Sequence, residues 1–304
     1  MVTAPLDRGA SKTPCVLEVR DVVRHQGSFT LGPIDFDVPT GSVVGFVGPN
    51  GAGKTTTLKC LLAMAHIQRG HISLLRRGAG LSHDRIGASF EDVALPPRWT
   101  ARQAAKMGRR FFSGWNEDLF GQLLHQLNIP TNTQVKGLSR GERSKLSLSL
   151  ALAHQPEFLI LDEPTSGLDP VARNTVLEIC RDFMVDESHS ILFSTHITSD
   201  LENFADRLVV INRGSIVLDG QLDEVLESHA VVRGSEEDIS DTARAVTIGA
   251  CVQHGRFEGI IGVKDTALFD SRVVVEEPSI DELVVALCRQ RFTERVSRPV
   301  RERN

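Results

Sequence analysis

Apolar and polar residues alternate over residues 16–23, and again at Ile34, Phe36 and Val38, with a shorter apolar stretch at 29–31 between them. A period of two predicts strands that bury one face, and Pro39-Thr40-Gly41 marks the turn that ends them. The pattern then changes. Val43-Val44-Gly45-Phe46-Val47 and Phe158-Leu159-Ile160-Leu161 are short unbroken apolar runs, as expected of strands covered on both faces. A helix is expected from about 54 to 64, and a mostly helical stretch from 99 to 153 with breaks at Gly114, Pro130 and Gly137. Residues 70–90 hold two strand candidates, 71–75 and 86–90. After Leu161, helix, strand (190–194), helix and strand (207–211) alternate. Such alternation predicts an α/β fold with a mainly parallel sheet, the N-terminal strands forming a separate antiparallel patch.

Beyond residue 228 the runs shorten to strand candidates at 231–232, 259–263 and 272–275, among small helices. Ser279-Ile280-Asp281-Glu282 reads as a capping box that opens a final helix. The expected organisation is a loose tail over 1–15, a principal domain over 16–228 with a helical subdomain inserted at about 91–154, a small α+β extension over 229–288, and a basic tail over 289–304. That last segment carries six Arg and two Glu. It reads as a solvated, disordered end, with an electrostatic contact to lipid headgroups or a partner as the sharper alternative.

Composition narrows the class. At 304 residues, 41% hydrophobic and 24% charged, the chain fits an ordinary globular protein of about two domains. A net charge of −5 argues against a nucleic-acid partner held by a broad basic surface. No run approaches the roughly 18 apolar residues a membrane span needs, and the N-terminus lacks the apolar segment of a secretory signal. Cys15, Cys60, Cys180, Cys251 and Cys288 form no CxxC pair and read as small buried hydrophobes in a reducing compartment. A cytoplasmic chain is expected, and any membrane role requires spans supplied by another protein.

Gly48-Pro49-Asn50-Gly51-Ala52-Gly53-Lys54-Thr55 fits GxxxxGK[ST], followed by Thr56. It follows a buried-strand run and opens a helix, the setting in which this pattern cradles phosphates. Glycines let backbone N–H groups approach phosphate oxygens, and the helix N-terminus favours negative charge. Lys54 is a point charge for the β and γ phosphates, and Thr55 offers a hydroxyl to Mg²⁺. The run 158–161 ends in Asp162-Glu163. Carboxylates at the end of a buried parallel strand face the crevice where such sheets bind ligands. Asp162 is expected to hold Mg²⁺ and Glu163 to polarise an attacking water.

Leu138-Ser139-Arg140-Gly141-Glu142 ends 20 residues before Asp162. With it the chain resembles the ATP-binding cassette ATPases, whose signature reads LSGGQ; Arg140 and Glu142 depart from that form. The resemblance covers about 16–228 and implies a P-loop NTPase core. It implies that Ser139, Arg140, Gly141 and Glu142 meet the ATP held by a second ATPase subunit. Ser166-Gly167-Leu168-Asp169 resembles the D-loop and Ser194-Thr195-His196 the switch, which implies that His196 reaches the γ-phosphate as a catalytic group beside Glu163. In Ser89-Phe90-Glu91-Asp92, Glu91 stands where the family usually has the metal-facing Gln. The family also stacks an aromatic on adenine, often Tyr; this chain has no Tyr, leaving His25, Gln26 or Phe29 near that place. The other nine histidines share no ligand spacing, so no metal beyond Mg²⁺ is expected.

Within the family the likeness is to bacterial exporter subunits of the antibiotic-resistance and acetoin-utilisation branch, through Phe112-Ser113-Gly114-Trp115-Asn116, residues 161–170 and residues 193–201. It implies an ATPase on the inner face of the cell membrane. The subunit powers a separate permease and pairs with a second copy or a paralogue. Residues 91–115 are expected to dock a permease helix, with Phe111 and Phe112 filling the subdomain core. Two rival readings are a soluble cassette protein acting on ribosomes or DNA, and a non-hydrolysing regulatory subunit. One cassette without coiled-coil or zinc insertions argues against the first, and intact Lys54, Asp162, Glu163 and His196 against the second.

Overall fold

The computed structural model describes residues 14–75, 83–90 and 95–296. Along the chain come β1 (Cys15–Gln26), β2 (Phe29–Pro39), β3 (Val43–Val47), α1 (Lys54–Leu61), β4 (Arg69–Leu74) and β5 (Ile86–Ser89). Three helices follow, α2 (Ala101–Phe111), α3 (Glu117–Gln126) and α4 (Arg140–Ala153). Then come β6 (Phe158–Asp162), α5 (Pro170–Phe183), β7 (Ser190–Thr195), β8 (Arg207–Asn212), β9 (Ser215–Gln221) and α6 (Leu222–Glu227). The last part comprises β10 (His229–Ser235), α7 (Asp241–Val246), β11 (Ile248–Gln253), β12 (Arg256–Gly262), β13 (Val274–Glu276) and α8 (Ile280–Val296).

A six-stranded sheet of order β5-β6-β7-β3-β8-β9 forms the centre, parallel except for β9 at its edge. Its unbroken apolar runs still alternate by face. Val43, Val47, Leu159 and Leu161 enter the core under the helices, whereas Val44, Phe46, Phe158 and Ile160 enter the core toward the N-terminal strands. Both faces are covered, so no polar position interrupts the runs 43–47 and 158–161; burying each such apolar side chain contributes about 1.5–3 kcal/mol. The antiparallel patch β2-β1-β4 closes the second core, with Phe36 stacked on Phe46 at 5.4 Å.

The third sheet, β11-β12-β10-β13, is antiparallel and has a small core around Val232, Phe257 and Ile261. α8 seats Ile280, Leu283, Val284 and Leu287 in the core under the central sheet. Asp281 of α8 accepts a hydrogen bond from Thr198 Oγ1 at 3.3 Å, and the Cys288 carbonyl accepts from Asn212 Nδ2 at 3.0 Å.

Several expectations need correction. α1 stops at Leu61 because Ala63 takes a left-handed φ of +55°. β9 and β11 had no counterpart in the reading of the sequence. α8 crosses the boundary expected at 289, since no Pro interrupts the helix before Pro299. Phe111 is 73% exposed instead of buried, whereas Phe112 stacks on His154 at 4.1 Å. All five cysteines are free, and burial pushes the Cys180 thiol up to about 12. Among the described residues no helix is long and apolar enough to cross a membrane.

Candidate nucleotide-binding site

β3 delivers the chain to the glycine loop at the carboxyl end of the parallel strands. At Gly48 a Cβ would lie 2.2 Å from the Ile211 carbonyl oxygen, so only glycine lets the loop cross β8 here. Gly53, at φ +114°, turns the backbone into α1. No side chain caps α1, and no acid stands in its first turn. Its first N–H groups and the positive end of its dipole therefore face the loop, a setting suited to an anion.

Six side chains meet beneath this loop. Lys54 is 6% exposed; its Nζ donates to the Gly48 carbonyl at 2.7 Å and lies 3.2 Å from Glu163 Oε1. The other carboxylate oxygen of Glu163 meets His196 Nδ1 at 2.7 Å. Thr55 Oγ1 donates to Asp162 Oδ2 at 2.7 Å, and Ser194 Oγ to Asp162 Oδ1 at 3.1 Å. Burial raises the pKa of Asp162 above the ordinary carboxylate value, while the Thr55 and Ser194 hydroxyls pull it back. Glu163 has φ +53°, a conformation that costs a residue with a Cβ about 1–3 kcal/mol. The flip turns the side chain back toward Lys54, and the Glu163 N–H is held by the Ser194 carbonyl at 2.9 Å.

Pro49, Asn50, Gly51, Gly53, Lys54, Thr55, Thr56 and Glu163 line a cleft of about 350 Å³, together with Gln26 and Phe29. Of the three candidates for the base, Gln26 and Phe29 thus line the cleft; His25 pairs its Nδ1 with Thr30 Oγ1 at 3.1 Å. Ala52 is buried beneath the loop, its carbonyl accepting from Gly214 N–H at 2.8 Å. Glu91 lies outside the described residues. The Thr55 hydroxyl and Asp162 carboxylate form a hard oxygen pair, which fits Mg²⁺ completed by phosphate and water. Among the described residues no cluster of three His, Cys, Asp or Glu offers a fuller metal cage.

Ser139, Arg140, Gly141 and Glu142 do not join this cleft. Ser139 caps α4: its hydroxyl accepts from Glu142 N–H at 3.2 Å, and the Glu142 carboxylate accepts from Ser139 N–H at 2.7 Å. These bonds hold the Glu142 pKa low. Glu142 thereby completes a capping box, which the departure from Gln left open. Arg140 Nη2 reaches Ser166 Oγ at 3.4 Å, and a Cβ on Gly141 would meet Leu168 at 2.9 Å. Asp169 caps α5 by accepting from the N–H groups of Val171 and Ala172, both at 3.0 Å. The sequence reading named Ser194 only as the start of the switch and gave Asp200 no role; the bonds from Ser194 to Asp162 and from Thr165 to Asp200 arise from tertiary packing, which no local spacing encodes.

The family described as ABC transporter matches residues 31–166. A Nod factor export ATP-binding protein I of Burkholderia orbicola (strain AU 1054) is 35% identical over 222 residues, covering 70% of this chain and 73% of that protein. An uncharacterised ABC transporter ATP-binding protein of Synechocystis sp. is 29% identical over 281 residues, covering 86% of this chain and 79% of its own length. Among solved structures, an ATP-binding subunit of an ABC transporter superposes with a TM-score of 0.62 at 27% identity, covering 69% of this chain and 91% of that one. Glycine loop, paired acids and switch histidine thus sit on a cassette fold shared with relatives across most of their length, and the chain belongs to the ABC transporter family as an ATP-binding, ATP-hydrolysing subunit.

Proposed function

We propose that this subunit powers export through a separate membrane permease, as a peripheral ATPase on the inner face of the cell membrane. The placement of Glu163 between Lys54 and His196 carries the reading, because it gathers a cation, a carboxylate and an imidazole within direct reach of one another beneath the glycine loop. ATP phosphates bind the glycine-loop N–H groups and compete with Gly48 and Glu163 for Lys54. Glu163 then accepts a proton from the attacking water while His196 holds the γ-phosphate; this is positioning and charge stabilisation, not covalent chemistry. Thr55 and Asp162 would hold Mg²⁺, which when bound neutralises charge on the β and γ phosphates. Ser139 of a second subunit closes the site over the ATP, consistent with its position away from its own chain's cleft.

Export and the separate permease draw support from the names of relatives such as the Burkholderia orbicola protein, and the exposed Phe111 on α2 is a docking candidate. The test has two arms. Lys54→Ala should lose at least 100-fold in turnover at saturating ATP and Mg²⁺; unchanged turnover would refute the site. A cysteine at 111 should cross-link to a co-expressed membrane protein of about six spans encoded beside this chain. Failure there, with efficient cross-links from Val185 on another exposed surface, would refute the docking face.

A further inference from the structure

Asp200 is completely buried, in a short 3₁₀ turn (Thr198–Asp200) that begins two residues after His196. A buried carboxylate is stable only when donors meet it. Two do so here. Thr165 Oγ1 donates to Oδ2 at 2.5 Å, and Arg173 Nε, from α5, donates to Oδ1. Arg173 also donates through Nη2 to Ser199 Oγ at 2.7 Å, so the turn is gripped at two adjacent residues.

The spacing gives this cluster its significance. Thr165 follows Glu163 by two residues, and Asp200 follows His196 by four. The loop bearing the first and the turn bearing the second are therefore joined twice. One join is the His196–Glu163 hydrogen bond at 2.7 Å, which lies where the reaction occurs. The other is the Thr165–Asp200 bond, which lies behind it and touches no reacting atom. Glu163 needs that second join because its φ of +53° is costly for a residue with a Cβ and persists only where neighbours over-determine it. Ahead of it in the chain, β6 is held in the sheet; beyond it, Ser166 N–H bonds the Glu163 carbonyl at 3.1 Å, and buried Thr165 anchors the turn to Asp200.

We propose that Asp200 is a positioning residue for hydrolysis: through Thr165 it fixes the loop that aims Glu163 at His196 and Lys54. Arg173 makes the device rigid, since it ties the same carboxylate to the helix whose N-cap is Asp169. The inference rests on Glu163 being the group that polarises water. It predicts a defect in turnover and not in nucleotide binding, because the glycine loop lies between β3 and α1, whereas Asp200 is bonded by Thr165 and Arg173.

Thr165→Val removes the hydroxyl at nearly constant volume and leaves the Asp200–Arg173 pair in place. In steady-state hydrolysis by the full chain with Mg²⁺ and ATP, kcat should fall at least tenfold while KM stays within about threefold. A shift of about 1 Å in a catalytic group can cost about 100-fold. Binding of a fluorescent ATP analogue should be unchanged, and Thr165→Ser should restore kcat to within about threefold of the parent. Should the valine chain fail to fold, Thr165→Ala read against Thr165→Ser carries the same comparison. A kcat within threefold of the parent for the hydroxyl-free variant overturns the proposal, as does a loss of kcat matched by a loss of nucleotide binding. Glu163→Gln, run alongside, separates the two levels. If it still turns over, the role of Glu163 falls; if it is inert while Thr165→Val is normal, only the role of Asp200 falls.

Discussion

Replacing Ser194 by Ala removes one hydroxyl from a place water does not reach. Ser194 is fully buried, its Oγ donates to Asp162 Oδ1 at 3.1 Å, and Asp162 is 3% exposed. A hydrogen bond to a charged group contributes about 1.5–3 kcal/mol, and with no solvent to replace it the loss falls in the upper half of that range. At about 2–4 °C per kcal/mol for a unit of this size, Tm should drop by about 4–12 °C at pH 7. The loss depends on pH in a definite direction. Burial already raises the Asp162 pKa, with Glu163 pushing it up and Thr55, Ser194 and Lys54 pulling it down. A group raised in this way contributes stability that is complete below its unfolded pKa and is lost as pH rises through the folded one. Ser194→Ala raises the folded pKa further, so the penalty is full near neutrality. It shrinks toward that of a neutral hydrogen bond, about 0.5–1.5 kcal/mol, as the carboxyl becomes protonated. Thermal melts from pH 8 down to about 4.5 measure this. Ser149→Ala is the control: Ser149 is equally buried, but its Oγ donates to a neutral carbonyl, that of Lys145, at 2.9 Å. Equal losses for Ser194→Ala at every pH, or a loss no larger than the control, would refute the electrostatic account.

Glu163→Gln should bind ATP without hydrolysing it and accumulate as a dimer on a sizing column, and adding Ser139→Arg should abolish that dimer; a dimer formed equally well without ATP, or one that survives the second change, would place the contact elsewhere. Because the cleft is lined by Gln26 and Phe29 in a chain without Tyr, GTP should be hydrolysed within about tenfold of ATP, or about 1.4 kcal/mol. A hundredfold preference for ATP in parallel rate measurements would show that another group reads the base.

What could be read from the chain alone was whatever local spacing encodes. The runs at 43–47 and 158–161 announced buried strands, because a strand covered on both faces excludes polar residues. The glycine loop and the paired acids followed from their places at the ends of those runs. β9 escaped notice because six of its seven residues are only half-buried, so neither face writes a pattern. β11 is exposed over much of its length and interrupted by Gly249, whose φ of +63° brings it against Ala286 of α8. Glu163 was legible as an acid in the right place but not as a left-handed residue, since that conformation is imposed by β7 and the turn after it. Asp200 was invisible for the same reason: its partners lie 35 and 27 residues away, and no period connects them.

The seat of α8 changes how the C-terminal segment should be thought of. Its sheet holds only a modest core of its own, while the helix that ends it contributes Leu283 and Leu287 to the same apolar cluster as Leu208 and Val210 of β8. In exchange terms, the amides of α8 near these residues should open with the central sheet and not ahead of it, because exposing them means breaking into the principal core. The extension is thus part of one cooperative folding unit with the ATPase, and truncation before Ser279 would remove a wall of the enzyme instead of an appendage.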